Sequence, residues 1–235
     1  MLEAYTTLAY LAAQTRRVRL GTLVTAATFR APALLVKQVT TLDVLSGGRA
    51  WLGIGAGYNT EEGRAMGVPV PATAERYEVL EDTVEIAFRL WSGDESPFQG
   101  RRTRLDHPVG SPRPVSRPRP PLLIGGTGER RTLRLVARHA DACNLFDIPD
   151  GGASVRRQLD TLARHCAELG RPYDEIERTI TTALPAGEPT EGFIDRCREL
   201  AALGMQHIIV ITRGTPWTQD DLATIAAAVA AMSQA

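Results

Sequence analysis

A glycine-rich turn between an apolar run and a helical pattern is the stretch of this sequence best suited to hold an anion. Gly125, Gly126, Thr127 and Gly128 follow the apolar residues 122–124, which are typical of a strand buried on both faces. Apolar residues then recur at helical spacing from Glu129. Glycine lets a backbone approach a ligand closely, and N–H groups at a helix start attract negative charge. The turn predicts a phosphate site, with an ordinary strand-to-helix turn as the alternative.

A second glycine-rich turn follows an apolar segment at residues 50–54. It contains Gly55, Ala56 and Gly57 and is followed by Tyr58, which could contact a ligand or be a half-buried aromatic residue. Asn59 has the side chain of a helix cap, and Glu61 and Glu62 suit the first helical turn after it. If the two turns end neighbouring strands of a barrel, both line one ligand site on the same rim.

Several common catalytic motifs are missing from the sequence. A dinucleotide-binding fingerprint would need glycine or alanine where Arg131 stands, and there is no nucleophile elbow, zinc-binding histidine pair or Walker loop. The only lysine, Lys37, falls in a helical pattern, which disfavours a phosphate-binding aldolase barrel. No histidine falls at the carboxyl end of a predicted strand, where barrel catalytic groups lie, so the residues alone name no general acid. The histidines are His107, His139, His165 and His207.

The elements that must position these turns alternate strictly between strand and helix. A helix opens the chain and runs to about Gln14, and six strands follow, each with a helix after it. This alternation predicts a parallel sheet, either doubly wound or closed as a barrel. The predicted strands lie near 18–24, 50–54, 122–124, 142–146, 177–183 and 207–212, and the helices that follow them near 32–45, 75–91, 129–140, 153–169, 190–203 and 218–233.

One segment, at about 93–118, interrupts this alternation with five prolines and five arginines. An excursion of this length without secondary structure is typical of a functional lid or a disordered insert. Its arginines could attract an acidic ligand tail, but a solvated loop surface is the preferred interpretation.

Composition excludes several classes of protein. The 235 residues have a formal net charge of zero, which gives no signal for nucleic acid. No apolar run is long enough to span a membrane, and the three cysteines are widely spaced without a metal-binding pair. We therefore expect a cytoplasmic protein with no structural metal, no membrane association and a small molecule as its partner, and a homodimer is one possible assembly.

Six motifs in the right order resemble the luciferase-like monooxygenase superfamily, and most closely its branch that depends on the deazaflavin coenzyme F420. The motifs are LGTLVT (20–25), FRAP (29–32), TLDVLSGGR (41–49), LGIGAG (52–57), PRPPLLIGG (118–126) and ARHAD (137–141). The resemblance implies a single (β/α)8 barrel domain. It also implies that the first two strands of the barrel have no counterpart here, so the strands near 18–24 and 207–212 would be edges of an open barrel.

The resemblance also implies a cofactor site. Leu23 and Val24 correspond to the family's non-proline cis peptide behind the flavin ring. The edge of the ring would be contacted by Thr25, Gly55, Ala56, Gly57 and Tyr58. The phosphate would be held by Gly125 to Gly128. The histidine that often acts as proton donor belongs to a strand that this sequence lacks, and Tyr58 is then a candidate for the catalytic group. The implied function is hydride transfer between coenzyme F420 and an organic substrate. Two alternatives stay open, an FMN-dependent monooxygenase and a truncated, non-catalytic flavin-binding paralogue.

Overall fold

The computed structural model describes residues 2–212 and 214–233. The chain forms two compact units. The first comprises residues up to Gly125 together with His139–Asp141, and the second comprises Gly126–Arg138 and the residues from Ala142 onward. Each unit contains three parallel strands with helices between them, so the predicted α/β class with parallel strands is confirmed. A single barrel domain stays a prediction.

The first unit begins with a helix and ends with a buried strand. Its longest helix, α4, carries a glutamate at its third position whose side chain accepts the N–H of Ala72 at 3.1 Å, which is half of a capping box. In order, the elements are α1 (Ala4–Gln14), β1 (Thr25–Ala26), a 3₁₀ turn (Ala27–Phe29), α2 (Pro32–Ser46), β2 (Leu52–Gly55), α3 (Thr60–Ala65), α4 (Thr73–Ser92), β3 (Phe98–Gln99), β4 (Arg104–Leu105) and β5 (Leu122–Gly125).

Strands β1, β2 and β5 pair in parallel in that order, so β2 is central. The partners are Thr25 with Ile54 and Ile54 with Ile124. The continuous strand predicted over 18–24 is wrong, because only Leu20 makes an isolated bridge, to Ala50, before β1 begins. Between them the Thr22 hydroxyl, rather than a backbone N–H, donates to the carbonyl of Gly53. At this point a side-chain hydrogen bond stands where a continuous parallel strand would make a backbone hydrogen bond.

The 93–118 segment is folded within the first unit and is held by helices α2 and α4. Strands β3 and β4 form an antiparallel hairpin that the sequence did not predict. The buried carboxylate of Asp82 on α4 accepts the backbone N–H groups of residues 101, 102 and 103 at 2.8–3.0 Å. The buried carboxylate of Asp43 on α2 accepts those of residues 115 and 116 at 2.7 and 2.9 Å. These bonds fix the turn of the hairpin and the last residues of the segment, whereas its role as a lid stays a prediction.

The second unit alternates strand and helix throughout. Its elements are α5 (Thr132–His139), β6 (Ala142–Phe146), α6 (Ala153–Leu169), a 3₁₀ turn (Tyr173–Glu175), β7 (Glu177–Ala183), α7 (Thr190–Ala202), β8 (His207–Ile211) and α8 (Gln219–Met232). Helix α5 begins three residues later than predicted, because residues 129–131 form a turn and the N–H of Leu133 donates to the carbonyl of Gly128 at 3.1 Å.

Parallel pairing of β6, β7 and β8 aligns Asn144 with Thr179 and Thr181 with Ile209. Asn144, Thr179 and Thr181 share one face of these strands. The other face contributes Leu145, Ile180 and Ile208 to an apolar cluster with the helices. Among the strands that the structure describes, β1 pairs only with β2 and β8 only with β7, so the predicted edge near 207–212 is confirmed, whereas the first edge lies at residues 25–26 rather than at 18–24. No described helix is both long enough and apolar enough to cross a bilayer.

Candidate cofactor site

The side chain of Val24 takes the space that two glycines leave open in the first unit. A β-carbon placed on Gly55 would lie 3.0 Å from Val24 Cγ2, and one placed on Gly125 would lie 2.9 Å from Val24 Cγ1. Gly55 ends β2 and Gly125 ends β5, so the two predicted turns do lie at the carboxyl ends of adjacent strands. These glycines therefore have a packing role that the sequence did not reveal, in addition to any role toward a ligand.

The peptide bond between Leu23 and Val24 is cis, as the family resemblance implied. The Leu23 side chain is 43% exposed, and Gly57, with φ of 80°, would place a β-carbon 2.9 Å from that of Ala26. Ala56, between the two turn glycines, is partly exposed. Together these residues form a surface with few side chains at the ends of β1 and β2. A planar apolar ring could pack on such a surface, which is the property that a flavin site requires.

Thr25, the first residue of β1, is buried and belongs to a chain of hydroxyl groups. Its oxygen lies 3.0 Å from the Tyr5 hydroxyl and 2.8 Å from that of Thr22, which in turn donates to the carbonyl of Gly53 at 2.9 Å. The family motifs indicate Thr25, whereas nothing in the sequence indicates a site role for Tyr5 or Thr22. Tyr5 occupies the buried face of an amphipathic helix, where its pattern predicts only a core residue.

Tyr58 lies at the start of the segment after β2 and is 91% exposed, so its interpretation as a half-buried aromatic is wrong. Its contact with a cofactor stays a prediction. The next residue, Asn59, caps α3 as predicted, accepting the N–H of Glu62 at 3.1 Å. Glu61 and Glu62 are first-turn residues of that helix, which confirms their structural interpretation.

The second unit contains the remaining three predicted residues, Gly126, Thr127 and Gly128. Gly126 has φ of 126°, a backbone conformation that side-chain-bearing residues rarely adopt, and its N–H donates to the carbonyl of Asn144 at 3.3 Å. The turn is held from the other side by His165, whose Nε2 lies 2.9 Å from the carbonyl oxygen of Glu129. The residues after β5 are thus fixed in place, which suits a loop that binds a phosphate.

Two polar clusters at β6 and β7 were missed by the sequence analysis. The buried amide oxygen of Asn144 accepts the hydroxyls of Thr179 at 2.8 Å and Thr181 at 3.2 Å. A polar residue inside an otherwise apolar strand was the available signal for this cluster.

The second cluster centres on Arg196 of α7, which pairs with Glu188 at 2.6 Å and Asp147 at 3.1 Å. Burial alone would lower the pKa of Arg196, but the hydrogen bonds and charges of these carboxylates raise it. The guanidinium is therefore permanently charged and already balanced by two carboxylates.

The four histidines lie in different elements of the structure. His107 is in the 93–118 segment, His139 is the last residue of α5, His165 is on α6 and His207 is the first residue of β8. None of them lies at the carboxyl end of a strand that the structure describes. In the part of the chain that the structure describes, no group of three or more histidine, cysteine, aspartate or glutamate residues could hold a metal ion.

The arginines of the hairpin are paired within the chain. Arg102 lies 2.7 Å from Glu75 and 2.6 Å from Glu78, and Arg104 pairs with Asp106 at 2.8 Å. Their charge is largely neutralised, which favours the solvated-surface interpretation over attraction of an acidic ligand tail.

The profile of the luciferase-like monooxygenase family matches residues 1–200. The F420-dependent glucose-6-phosphate dehydrogenase of Kineococcus radiotolerans is 32% identical over 203 residues, which are 84% of this chain and 58% of that protein. The FMNH₂-dependent dimethylsulfone monooxygenase of Pseudomonas putida is 30% identical over 139 residues, covering 59% of this chain and 38% of that protein. This chain spans about half the length of the curated relatives that it matches.

A solved F420-dependent secondary alcohol dehydrogenase, in complex with an F420–acetone adduct, has a similar fold. The TM-score is 0.85 over 98% of this chain and 84% of that chain, with 15% sequence identity. At that identity the likeness concerns the fold alone.

Proposed function

Because the chain belongs to the luciferase-like monooxygenase family, we propose that it acts as an oxidoreductase that transfers a hydride between coenzyme F420 and an organic substrate. The family membership supports a flavin-type cofactor, and the F420-dependent dehydrogenase among the relatives supports the deazaflavin. When bound, this cofactor supplies the hydride-transferring centre, and the protein supplies position, electrostatics and exclusion of water.

The observation that carries this proposal is the arrangement around Val24. The valine fills the space beside Gly55 and Gly125, so the ends of β2 and β5 present backbone and small side chains rather than bulky ones. Leu23 and Val24 would support an apolar ring, and the Thr25 oxygen would meet a polar edge of it. A surface of this kind fits a flavin or deazaflavin ring.

For the phosphate of the cofactor, we propose the turn at Gly126, Thr127 and Gly128. The positive φ of Gly126 and the fixed carbonyl of Glu129 support this role, because both hold the backbone in one conformation before the start of α5. Backbone N–H groups before a helix are suited to bind phosphate oxygens. Gly125, at the end of β5, contributes through its packing with Val24.

For the fold, we propose that the six strand–helix pairs correspond to six of the eight in a (β/α)8 barrel. The likeness to the solved alcohol dehydrogenase supports this correspondence. No histidine is proposed as the general acid of the reaction, since none lies at the carboxyl end of a described strand.

A turnover assay tests the proposed function. The purified protein is incubated with reduced F420 and a panel of ketones, aldehydes and enones, or with oxidised F420 and the matching alcohols and glucose 6-phosphate. We expect a protein-dependent change in deazaflavin absorbance with at least one substrate. Turnover with reduced FMN and dioxygen instead would favour the monooxygenase alternative. Binding of a cofactor without turnover in any arm would favour the non-catalytic alternative.

A further inference from the structure

The hydroxyl chain that ends at Thr25 has a fixed direction. The Gly53 carbonyl can only accept a hydrogen bond, so the single hydroxyl hydrogen of Thr22 is used there, at 2.9 Å. Thr22 therefore accepts, rather than donates, in its 2.8 Å contact with Thr25. The hydrogen of Thr25 is used in that contact, so the 3.0 Å bond from Tyr5 must be donated by the tyrosine.

This direction determines what Thr25 can offer to a ligand. A hydroxyl has one hydrogen and two acceptor lone pairs, and Thr25 uses its hydrogen toward Thr22 and one lone pair toward Tyr5. One lone pair is left. A ligand group that meets this oxygen must therefore donate a hydrogen bond, and a carbonyl oxygen at that point would be repelled.

Burial of its side chain and a contact between its ring and Arg30 fix the position of Tyr5. Its side chain is buried, with only 6% of the residue exposed, and the guanidinium of Arg30 lies 5.0 Å from the centre of its ring. Arg30 is ion-paired with Glu3, which accepts the N–H of Thr6 at 2.7 Å at the start of α1. The tyrosine hydroxyl thus reaches Thr25 from the first turn of α1, whose start is capped by Glu3.

We propose that Tyr5 is a positioning residue for cofactor binding. By donating to Thr25, its hydroxyl fixes residues 22–25 and makes the Thr25 oxygen an acceptor for an N–H group of the cofactor ring. This inference rests on the proposed function, since it concerns the surface to which the cofactor is assigned. It adds a residue from α1 that neither the family motifs nor the glycine turns indicate.

The test compares Tyr5→Phe with Tyr10→Phe. Tyr10 is on the same helix and is 67% exposed, so its variant controls for loss of a phenol from α1. Dissociation constants for F420 and FMN are measured by fluorescence well below the melting temperature, where each variant is fully folded. We expect Tyr5→Phe to weaken binding of the cofactor about fivefold, the effect of one neutral hydrogen bond, and Tyr10→Phe to leave it unchanged.

Two further variants separate positioning from general stability. Thr25→Ser retains the hydroxyl and should lose less affinity than Thr25→Val, which should bind at least as weakly as Tyr5→Phe. Hydrogen exchange gives a readout without cofactor, because amides of residues 22–25 should exchange faster in Tyr5→Phe than in Tyr10→Phe.

A lower melting temperature of Tyr5→Phe with an unchanged dissociation constant and unchanged exchange would overturn the inference, because the hydroxyl would then be merely structural. If the natural protein binds neither cofactor, the proposed function fails, and the positioning role fails with it. Binding by the natural protein and by Tyr5→Phe with equal affinity rejects the positioning role alone.

Discussion

Val24 and Gly125 fit together so closely that Gly125 has no room for a side chain: a β-carbon there would lie 2.9 Å from Val24 Cγ1. The contact joins the segment before β1 to the end of β5, across the central strand β2. It explains why glycine, rather than another small residue, ends β5. The glycine of the turn is thus required by packing before any ligand is considered.

The first prediction follows from this contact. Gly125→Ala should destabilise the protein by about 1–3 kcal/mol, the usual cost of overpacking a core. The double variant with Val24→Ala should be less destabilised than the sum of the two single variants, because the smaller side chain makes room for the new methyl group. Thermal or urea unfolding measures all three.

Gly192→Ala is the control for this series. Gly192 is in α7, and among the described residues no atom beyond its own helical turn lies within 4 Å of its β-carbon position, so alanine should leave stability unchanged or raise it by about 0.5–1 kcal/mol. Additive effects of Gly125→Ala and Val24→Ala would contradict the steric explanation.

The second prediction concerns charge at the turn assigned to phosphate. Gly126→Asp places a carboxylate beside the proposed phosphate, and like charges at close range repel by about 1–4 kcal/mol at dielectrics between those of water and the protein surface. Gly126→Ala controls for the strain that any side chain brings at φ of 126°. Cofactor affinity should be lower in the aspartate variant than in the alanine variant. Equal affinities in the two would place the phosphate elsewhere.

The third prediction concerns the support that His165 gives this turn. His165→Leu removes the donor to the Glu129 carbonyl and should cost about 1 kcal/mol of stability and weaken cofactor binding. His165→Gln can still donate from its side-chain amide and should restore part of both. Calorimetry and fluorescence titration provide the two measurements, and an equal loss in both variants would argue against a role for the hydrogen bond.

The fourth prediction tests how firmly the hairpin is anchored. Asp82→Asn replaces a carboxylate that accepts three backbone N–H groups, and the loss of these charge-assisted bonds should cost about 1.5–3 kcal/mol. Glu81→Gln removes only the exposed pair with Arg101, at 3.8 Å, and should change stability by less than about 0.5 kcal/mol. Limited proteolysis after residues 101–104 should accelerate in Asp82→Asn alone. Similar unfolding free energies for both variants would show that Asp82 is no anchor.

The fifth prediction concerns the cysteines, all three of which are buried and unpaired. Burial raises the pKa of the Cys143 thiol to about 11, so the thiol stays protonated, and thus unreactive, at pH 8. Iodoacetamide at that pH should label Cys143 only after denaturation. Rapid labelling of the folded protein, read by mass spectrometry, would contradict the buried position.

The sequence predicted the regular elements well because their signals are local. Apolar periodicity located β6, β7 and α6 with the bounds that the structure has, and Pro32 and Gly47 marked the ends of α2. The prediction failed over 18–24, where a side chain replaces a backbone donor. It also missed the short hairpin, since two-residue strands carry no detectable pattern.

Only part of the candidate site could be predicted from the sequence, for a related reason. Glycine turns stand out in a sequence, so Gly55 and Gly125 were selected, but their contact with Val24 links residues far apart in the chain. Tyr5 and Thr22 were missed because their partners are fixed only by the tertiary fold. Contacts between residues that are far apart in the chain cannot be predicted from the sequence around either residue.

The central claim is that this chain contributes a deazaflavin site, and equilibrium titration with both cofactors tests it most directly. Purified natural protein is titrated with F420 and, separately, with FMN, and intrinsic fluorescence and cofactor fluorescence are followed. We expect saturable binding of F420 that is tighter than that of FMN and is weakened by Gly126→Asp. Tight binding of FMN with no binding of F420 would contradict the deazaflavin assignment, and binding of neither would contradict the site itself.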